Sequence, residues 1–224
     1  MIPLTITAHL QTPPVTSGAL LFDGLLVAAI GAEMGAAHPS GWADAGEVYE
    51  VTDEYLPLAR VEGPGDTWWW AASQIALHGP EERSYLHRRP AYEMVERWTT
   101  SNTVGIAAGP DKLMRRPYYR RLAMRELTWT CVGDRGRIEA LLHKVGSVGR
   151  LGAHGHGWVD RWVIAEGGPP LTQYASDLTL RHLPAAAVTS VPRGRVTRKR
   201  IPLRPPYHRR ALGVPCLQIP AVTR

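Results

Sequence analysis

Five glycines fall within the twelve residues Gly146-Ser147-Val148-Gly149-Arg150-Leu151-Gly152-Ala153-His154-Gly155-His156-Gly157. Glycine loses more conformational freedom on folding than any other residue, so such density marks backbone that must turn through positive φ or pass close to another backbone. What flanks the run narrows it further. Arg135–Val145 repeats Ile138, Leu141, Leu142 and Val145 at three- and four-residue spacing, with Asp134 placed to cap it, which predicts a helix leading into the loop. Trp158–Ala165 reads as the strand that leaves it. Nucleotide-binding glycine loops run the other way, from a strand into a helix. Here there is also no Gly-Lys-Ser/Thr ending, and Gly155-His156-Gly157 is not followed by a third glycine three residues on, so the Walker loop and the dinucleotide fingerprint are excluded. What remains is a loop whose amides can form concave anion-binding nests. Arg150 adds a planar fork suited to phosphate, and His154 and His156 add rings that stack or donate. The plain alternative is a tight helix-to-strand connection.

The rest of the chain supplies a frame for this loop. Pro3–Gln11 alternates Leu4, Ile6, Ala8 and Leu10 with Thr5, Thr7 and His9, the period of a half-buried strand, and stops at Pro13-Pro14. Ala19–Met34 is apolar almost all round and predicts a buried helix. Tyr55–Val61 and Thr67–Leu77, the latter carrying Trp68-Trp69-Trp70, read as two strands of one hairpin or sheet. Residues 79–120 are irregular and read as an inserted lobe. Leu122–Val132 approximates another strand, disturbed by Arg125-Glu126. The order strand, helix, strand, insertion, strand, helix, glycine loop, strand is the βαββαβ sequence of a ferredoxin-like (RRM-like) α+β fold. Residues 1–166 form that domain, with a thumb inserted at about 79–120. Residues 167–224 form a basic, proline- and arginine-rich extension packed on it, too sparse in apolar residues to stand alone.

Charge is divided along the chain. Residues 1–80 hold nine acids and a single base, Arg60, leaving 25 of the 26 bases and 11 of the 20 acids to the other 144 residues; no acid occurs from Leu178 to Arg224. Such a basic region is the footprint of a polyanion partner. Two isolated cysteines, Cys131 and Cys216, indicate buried thiols and neither a disulfide framework nor a metal site. There is no apolar run of about 18 residues and no basic-then-apolar leader, so a cytoplasmic protein without a membrane partner is expected.

At the loop the sequence resembles a known family, the RAMP proteins of CRISPR interference complexes. Gly149-Arg150-Leu151-Gly152-Ala153-His154-Gly155-His156-Gly157-Trp158-Val159 is similar to that family's pattern of glycine, basic stretch, Gly-x-Gly, aromatic or basic residue and valine. Further matches are the opening Ile6–Pro13 strand with Asp23-Gly24-Leu25-Leu26 after it, Arg181-x-Leu183-Pro184, and the closing Arg204-Pro205-Pro206-Tyr207. Within the superfamily the resemblance is to the five-type subunit, in particular that of type IV systems. It implies a non-catalytic, cofactor-free RNA-binding subunit that holds the 5′ handle of CRISPR RNA and caps a filament of a repeated backbone subunit. A large subunit is a second implied partner, and recognition of DNA flanking the target is a further implied role. The residues expected to contact RNA are Gly149, Arg150, Gly152, His154, Gly155, His156 and Gly157 of the loop, with Lys112, Arg115, Arg116 and Arg181. The family pattern carries consecutive basic residues where this chain has Leu151 and Gly152 after Arg150, which shifts weight onto backbone amides and the two histidines.

Other constellations rank lower. Lys112–Arg121 interleaves bases with Tyr118 and Tyr119, a pattern suited to backbone and base contact. The Trp68–Trp70 run offers stacking surfaces, but alternation sets Trp69 opposite the other two, so one face belongs to the core. His154-x-His156 lacks a carboxylate or cysteine that would complete a metal site. The alternative function is a metal-independent endoribonuclease maturing the same RNA, with His154 and His156 as acid and base and the RNA 2′-hydroxyl as nucleophile. His9 is a lesser candidate, more simply a satisfied polar residue on a sheet surface.

Overall fold

The alternation of the first residues becomes the centre of the main sheet. The computed structural model of the chain describes residues 1–15, 20–33, 56–75, 81–85, 118–122, 124–150, 152–188, 196–205, 207 and 210–219. Strand β1 (Ile2–Leu10) lies between β6 (Glu126–Gly133) and β7 (Val159–Glu166), antiparallel to both. Leu4, Ile6, Ala8 and Leu10 point to one face and are buried, as a period of two requires. Two helices cover that face: α1 (Phe22–Glu33), which places Phe22, Leu25, Leu26 and Ile30 in the core, and α2 (Arg135–Leu142), which adds Ile138 and Leu142. Phe22, Trp129 and Trp162 form a run of tilted ring contacts at 6.0 and 6.1 Å through this layer.

Both helix starts follow from local chemistry. Asp134 caps α2 by accepting the Arg137 amide at 3.0 Å, as its position predicts. α1 is shorter than the apolar run Ala19–Met34 suggests, because Leu20 and Leu21 pair with the chain at Gln74 and Ile75 before the helix begins. The open face of the sheet is polar. There Thr7 meets Thr128 at 3.3 Å and His9 Nδ1 meets Glu126 Oε1 at 3.0 Å, the cross-strand pairings that the register dictates.

Strands β2 (Arg60–Glu62) and β3 (Trp68–Trp70) form the expected hairpin. They make their own ladder, and the chain just beyond, Ala71–Ser73, runs along β6: the Val132 amide donates to the Ala71 carbonyl at 2.9 Å and the Ser73 amide to the Thr130 carbonyl at 2.8 Å. The architecture is therefore mixed α+β, with a three-stranded main sheet among the described residues where a continuous four-stranded one was expected. The ends of the expected insertion, β4 (Glu81–Tyr85) and β5 (Tyr118–Leu122), pair antiparallel with each other; residues 86–117 between them lie outside the described residues.

The extension is more ordered than its composition suggests. β8 (Leu183–Pro184), β9 (Thr197–Ile201) and β10 (Val214–Gln218) form a second three-stranded sheet in the order β8-β10-β9. Its apolar residues Leu183, Leu203 and Cys216 share a second core with Val61, Trp69, Ala71, Val132, Tyr174 and Leu178. Trp69 is the link: it is fully buried and its indole donates to the Tyr174 carbonyl at 2.9 Å. Sparse apolar residues suffice because Val61, Trp69, Ala71 and Val132, from β2, from β3 with the residue after it, and from β6, supply four of these nine buried residues. Burial pushes the Cys131 thiol up to about 12 and Cys216 to about 11, so both are inert thiols.

Candidate nucleic-acid interface

The glycine loop is laced to the segment that follows β1. Val148, its buried anchor, donates to the Gly157 carbonyl at 2.8 Å, and the Val159 amide donates back to Gly146 at 3.0 Å, closing the base of the loop. Arg150 then pairs with Val15, its amide donating to the Val15 carbonyl at 2.7 Å, and the Gly157 amide reaches Pro13 at 3.2 Å. At the apex, Gly152–His154 form a single 3₁₀ turn closed by the Gly155 amide on the Gly152 carbonyl at 2.9 Å.

The glycines divide by what they do. Gly149 and Gly157 adopt φ of 90° and 67°, and a Cβ at either would run into the carbonyl of Val15 or Val148, so both are required by close backbone approach. Gly155 also has positive φ, 83°, but the space where its Cβ would stand is open. A Cβ on Gly152 would meet the Ser147 hydroxyl.

The lacing claims part of the loop's backbone: the amides of Val148, Arg150, Gly155, Gly157 and Trp158 have partners within the protein, the last on Thr12 Oγ1 at 3.0 Å. Side chains stand out beside that backbone. Arg150 and His154 are exposed, and His156 is half-buried. Next to them stands Trp158, half exposed, its indole Nε1–H donating to the Gly152 carbonyl at 2.9 Å. Trp158 fills the aromatic-or-basic position of the family pattern but is not among the residues expected to contact RNA.

Three of the other expected contacts, Lys112, Arg115 and Arg116, lie outside the described residues. The fourth, Arg181, is corrected. Its side chain is 0% exposed and joins three parts of the fold. Its guanidinium donates to the carbonyls of Trp70 (2.5 Å), Ala72 (3.3 Å) and Leu203 (2.7 Å), and ion-pairs with Asp23 at 3.4 Å. The Tyr207 hydroxyl donates to Asp23 at 2.5 Å and lies 3.3 Å from the Arg181 fork. Burial pushes the Asp23 carboxyl up, against the opposing pull of Arg181, Tyr207 and the Gly24 amide. The resemblance at Arg181-x-Leu183-Pro184 is what pointed Arg181 at RNA. The buried carboxylate that claims it is 158 residues away. His182, beside it, faces the Pro202 carbonyl through Nε2 at 2.9 Å, and burial together with the Arg181 charge pushes its pKa down to about 3.

The tryptophan run is likewise occupied. Trp69 and Trp70 are buried, and the half-buried Trp68 ring has the guanidiniums of Arg60 and Arg204 over it at 4.1 and 3.8 Å, so arginines hold the stacking surface. Exposed bases continue on the edge strand β9 at Arg198, Lys199 and Arg200. Among the described residues no three His, Cys, Asp or Glu side chains gather in a metal-binding group, and no helix is long and apolar enough to cross a membrane.

The glycine-rich loop is thus braced between a helix and a strand on a mixed α+β frame. The chain belongs to the family described as CRISPR type IV associated protein Csf3, whose model matches residues 2–216, and it is thus a type IV CRISPR-associated subunit. No curated protein matched it. The matched span holds the glycine loop and the Asp23–Arg181–Tyr207 cluster alike. Of the segments that carried the resemblance outside the loop, those around Asp23, Arg181 and Tyr207 meet in one buried knot.

Proposed function

We propose that this subunit binds the 5′ handle of CRISPR RNA with its glycine loop and caps the backbone filament of a type IV complex. The single observation that carries this is the apex itself, where Arg150 and His154 stand exposed on a loop whose backbone is fixed by bonds to Pro13 and Val15. A fixed loop presents these side chains with little ordering cost to its backbone at the moment of binding. Exposed Arg198, Lys199 and Arg200 extend the attraction over the extension.

The frame supports a ferredoxin-like reading. Both helices lie on one face of β6-β1-β7, and Ala71–Ser73 occupies the position beside β6 where the second strand of a βαββαβ unit belongs. The strand pair at 81–85 and 118–122 is the stem such a reading needs for an inserted thumb. In this reading the subunit is non-catalytic, its partners are the CRISPR RNA, a repeated backbone subunit and a large subunit, and flanking target DNA is a further contact. The setting is a cytoplasmic ribonucleoprotein.

The test is binding of the purified chain to single-stranded RNA carrying the handle and to a scrambled RNA of equal length. Tighter binding to the handle, weakened by Arg150→Ala and His154→Ala, is expected. Equal affinity for both RNAs overturns handle recognition, and absence of binding overturns the loop as an RNA site. Incubation with repeat RNA in the presence of a chelator tests the non-catalytic reading, which discrete cleavage products would overturn.

A further inference from the structure

Trp158 is 50% exposed, although tryptophan is highly buried on average. Its position is nevertheless tightly determined. Its amide donates to Thr12 Oγ1 at 3.0 Å, its carbonyl accepts the Gln11 amide at 2.8 Å, and it bridges to Ser147 at the base of the loop. The indole N–H, the ring's one polar group, is held by the Gly152 carbonyl at 2.9 Å. A ring pinned by its polar edge has lost its rotational freedom before any ligand arrives, while half of its surface stays in water. Nothing on the described chain uses that surface. Arg150 and His154 stand exposed on the same loop, and the open space at Gly155 leaves the apex uncrowded.

We propose that Trp158 is a base-stacking residue, which receives one unpaired nucleobase of a single-stranded RNA while the Arg150 guanidinium of the same loop holds a phosphate. The inference rests on the reading of the loop as an RNA site and adds to it what the phosphate chemistry lacks. Cations attract any polyanion, whereas a stacking ring needs a base free of its pair, so the site selects single-stranded RNA over duplex. Every base has a π face, so the stack tolerates base identity. A tryptophan that merely covered the 3₁₀ turn would affect stability alone.

The experiment measures affinity of the full chain for single-stranded handle RNA, for the same strand in a duplex, and for a series in which each nucleotide in turn is made abasic. Trp158→Ala is expected to weaken single-strand binding about 5- to 150-fold, and Trp158→Phe to retain most of the affinity. One abasic position is expected to reproduce the loss on the unaltered protein and to have no effect on Trp158→Ala. The salt dependence of binding should be the same in both proteins. Unchanged affinity of a folded Trp158→Ala, or an abasic series with no sensitive position on the unaltered protein, overturns the stack while leaving the cationic loop standing. Absence of any RNA binding by the unaltered protein overturns both. The abasic series needs no variant, so it decides the matter even if Trp158→Ala fails to fold.

Discussion

At the scale of single residues, the two ends of the apex glycine pair carry different duties. A Cβ at Gly157 would meet the Val148 carbonyl, so Gly157→Ala is expected to cost about 3 kcal/mol of stability. At Gly155 only the positive φ is at stake, and Gly155→Ala should cost about 1–2 kcal/mol, less for Gly155→Asn. Chemical denaturation of the three variants checks this, and a similar loss at both positions would contradict the geometry. His182 gives a pH signature. Its folded pKa, about 3, lies below the ordinary 6.5, so the unfolded chain binds the proton more readily. The contribution is whole above pH 6.5 and is lost as pH falls toward 3, at about 1.4 kcal/mol per pH unit within that window. Unfolding free energies of His182→Gln measured from pH 7 to pH 4 should fall less steeply than those of the unaltered chain.

At the scale of elements, the Asp23–Arg181–Tyr207 knot ties α1 to the extension. Arg181→Leu leaves a buried carboxylate without its cation and is expected to destabilise by about 3–5 kcal/mol. Asp23→Asn in the same chain should recover part of that loss in denaturant titrations. If Arg181→Leu instead kept its stability and lost RNA affinity, the sequence reading of Arg181 would be right after all. The main elements were legible where their own residues carry the signal: β1 by strict alternation, α2 by its spacing and the Asp134 cap. The second sheet was not. β8 is two residues long and β10 five, and what they bury against is Trp69, Val61 and Val132, far off in the chain, so no local period records them. The loop's place between helix and strand was readable. Its internal lacing to Pro13 and Val15 was legible only in part: Gly149 and Gly157 record that another backbone comes close, but not which residue supplies it.

At the scale of the whole molecule, the separation of charge into an acidic first third and a basic remainder survives folding only in part. Arg181 is withdrawn into the interior, and Arg60 and Arg204 converge on Trp68. Arg150 on the loop and Arg198, Lys199 and Arg200 on β9 keep an outward basic surface. If about five phosphates are neutralised there and on the insertion, the logarithm of single-strand affinity should fall against the logarithm of salt with a slope near −3.5. Titrations across a series of salt concentrations measure it directly, and a slope near zero would mean that the basic surface faces something other than a polyanion.

The knot also imposes a timetable on synthesis. Asp23 is made early, yet the arginine that neutralises it follows 158 residues later and the hydroxyl that completes its shell 184 residues later. On a ribosome adding about 5–20 residues per second, helix α1 therefore waits about 8–30 seconds for its charge partner. The carboxylate has to stay solvated meanwhile, and the layer between α1 and the extension can close only once Tyr207 has left the exit tunnel.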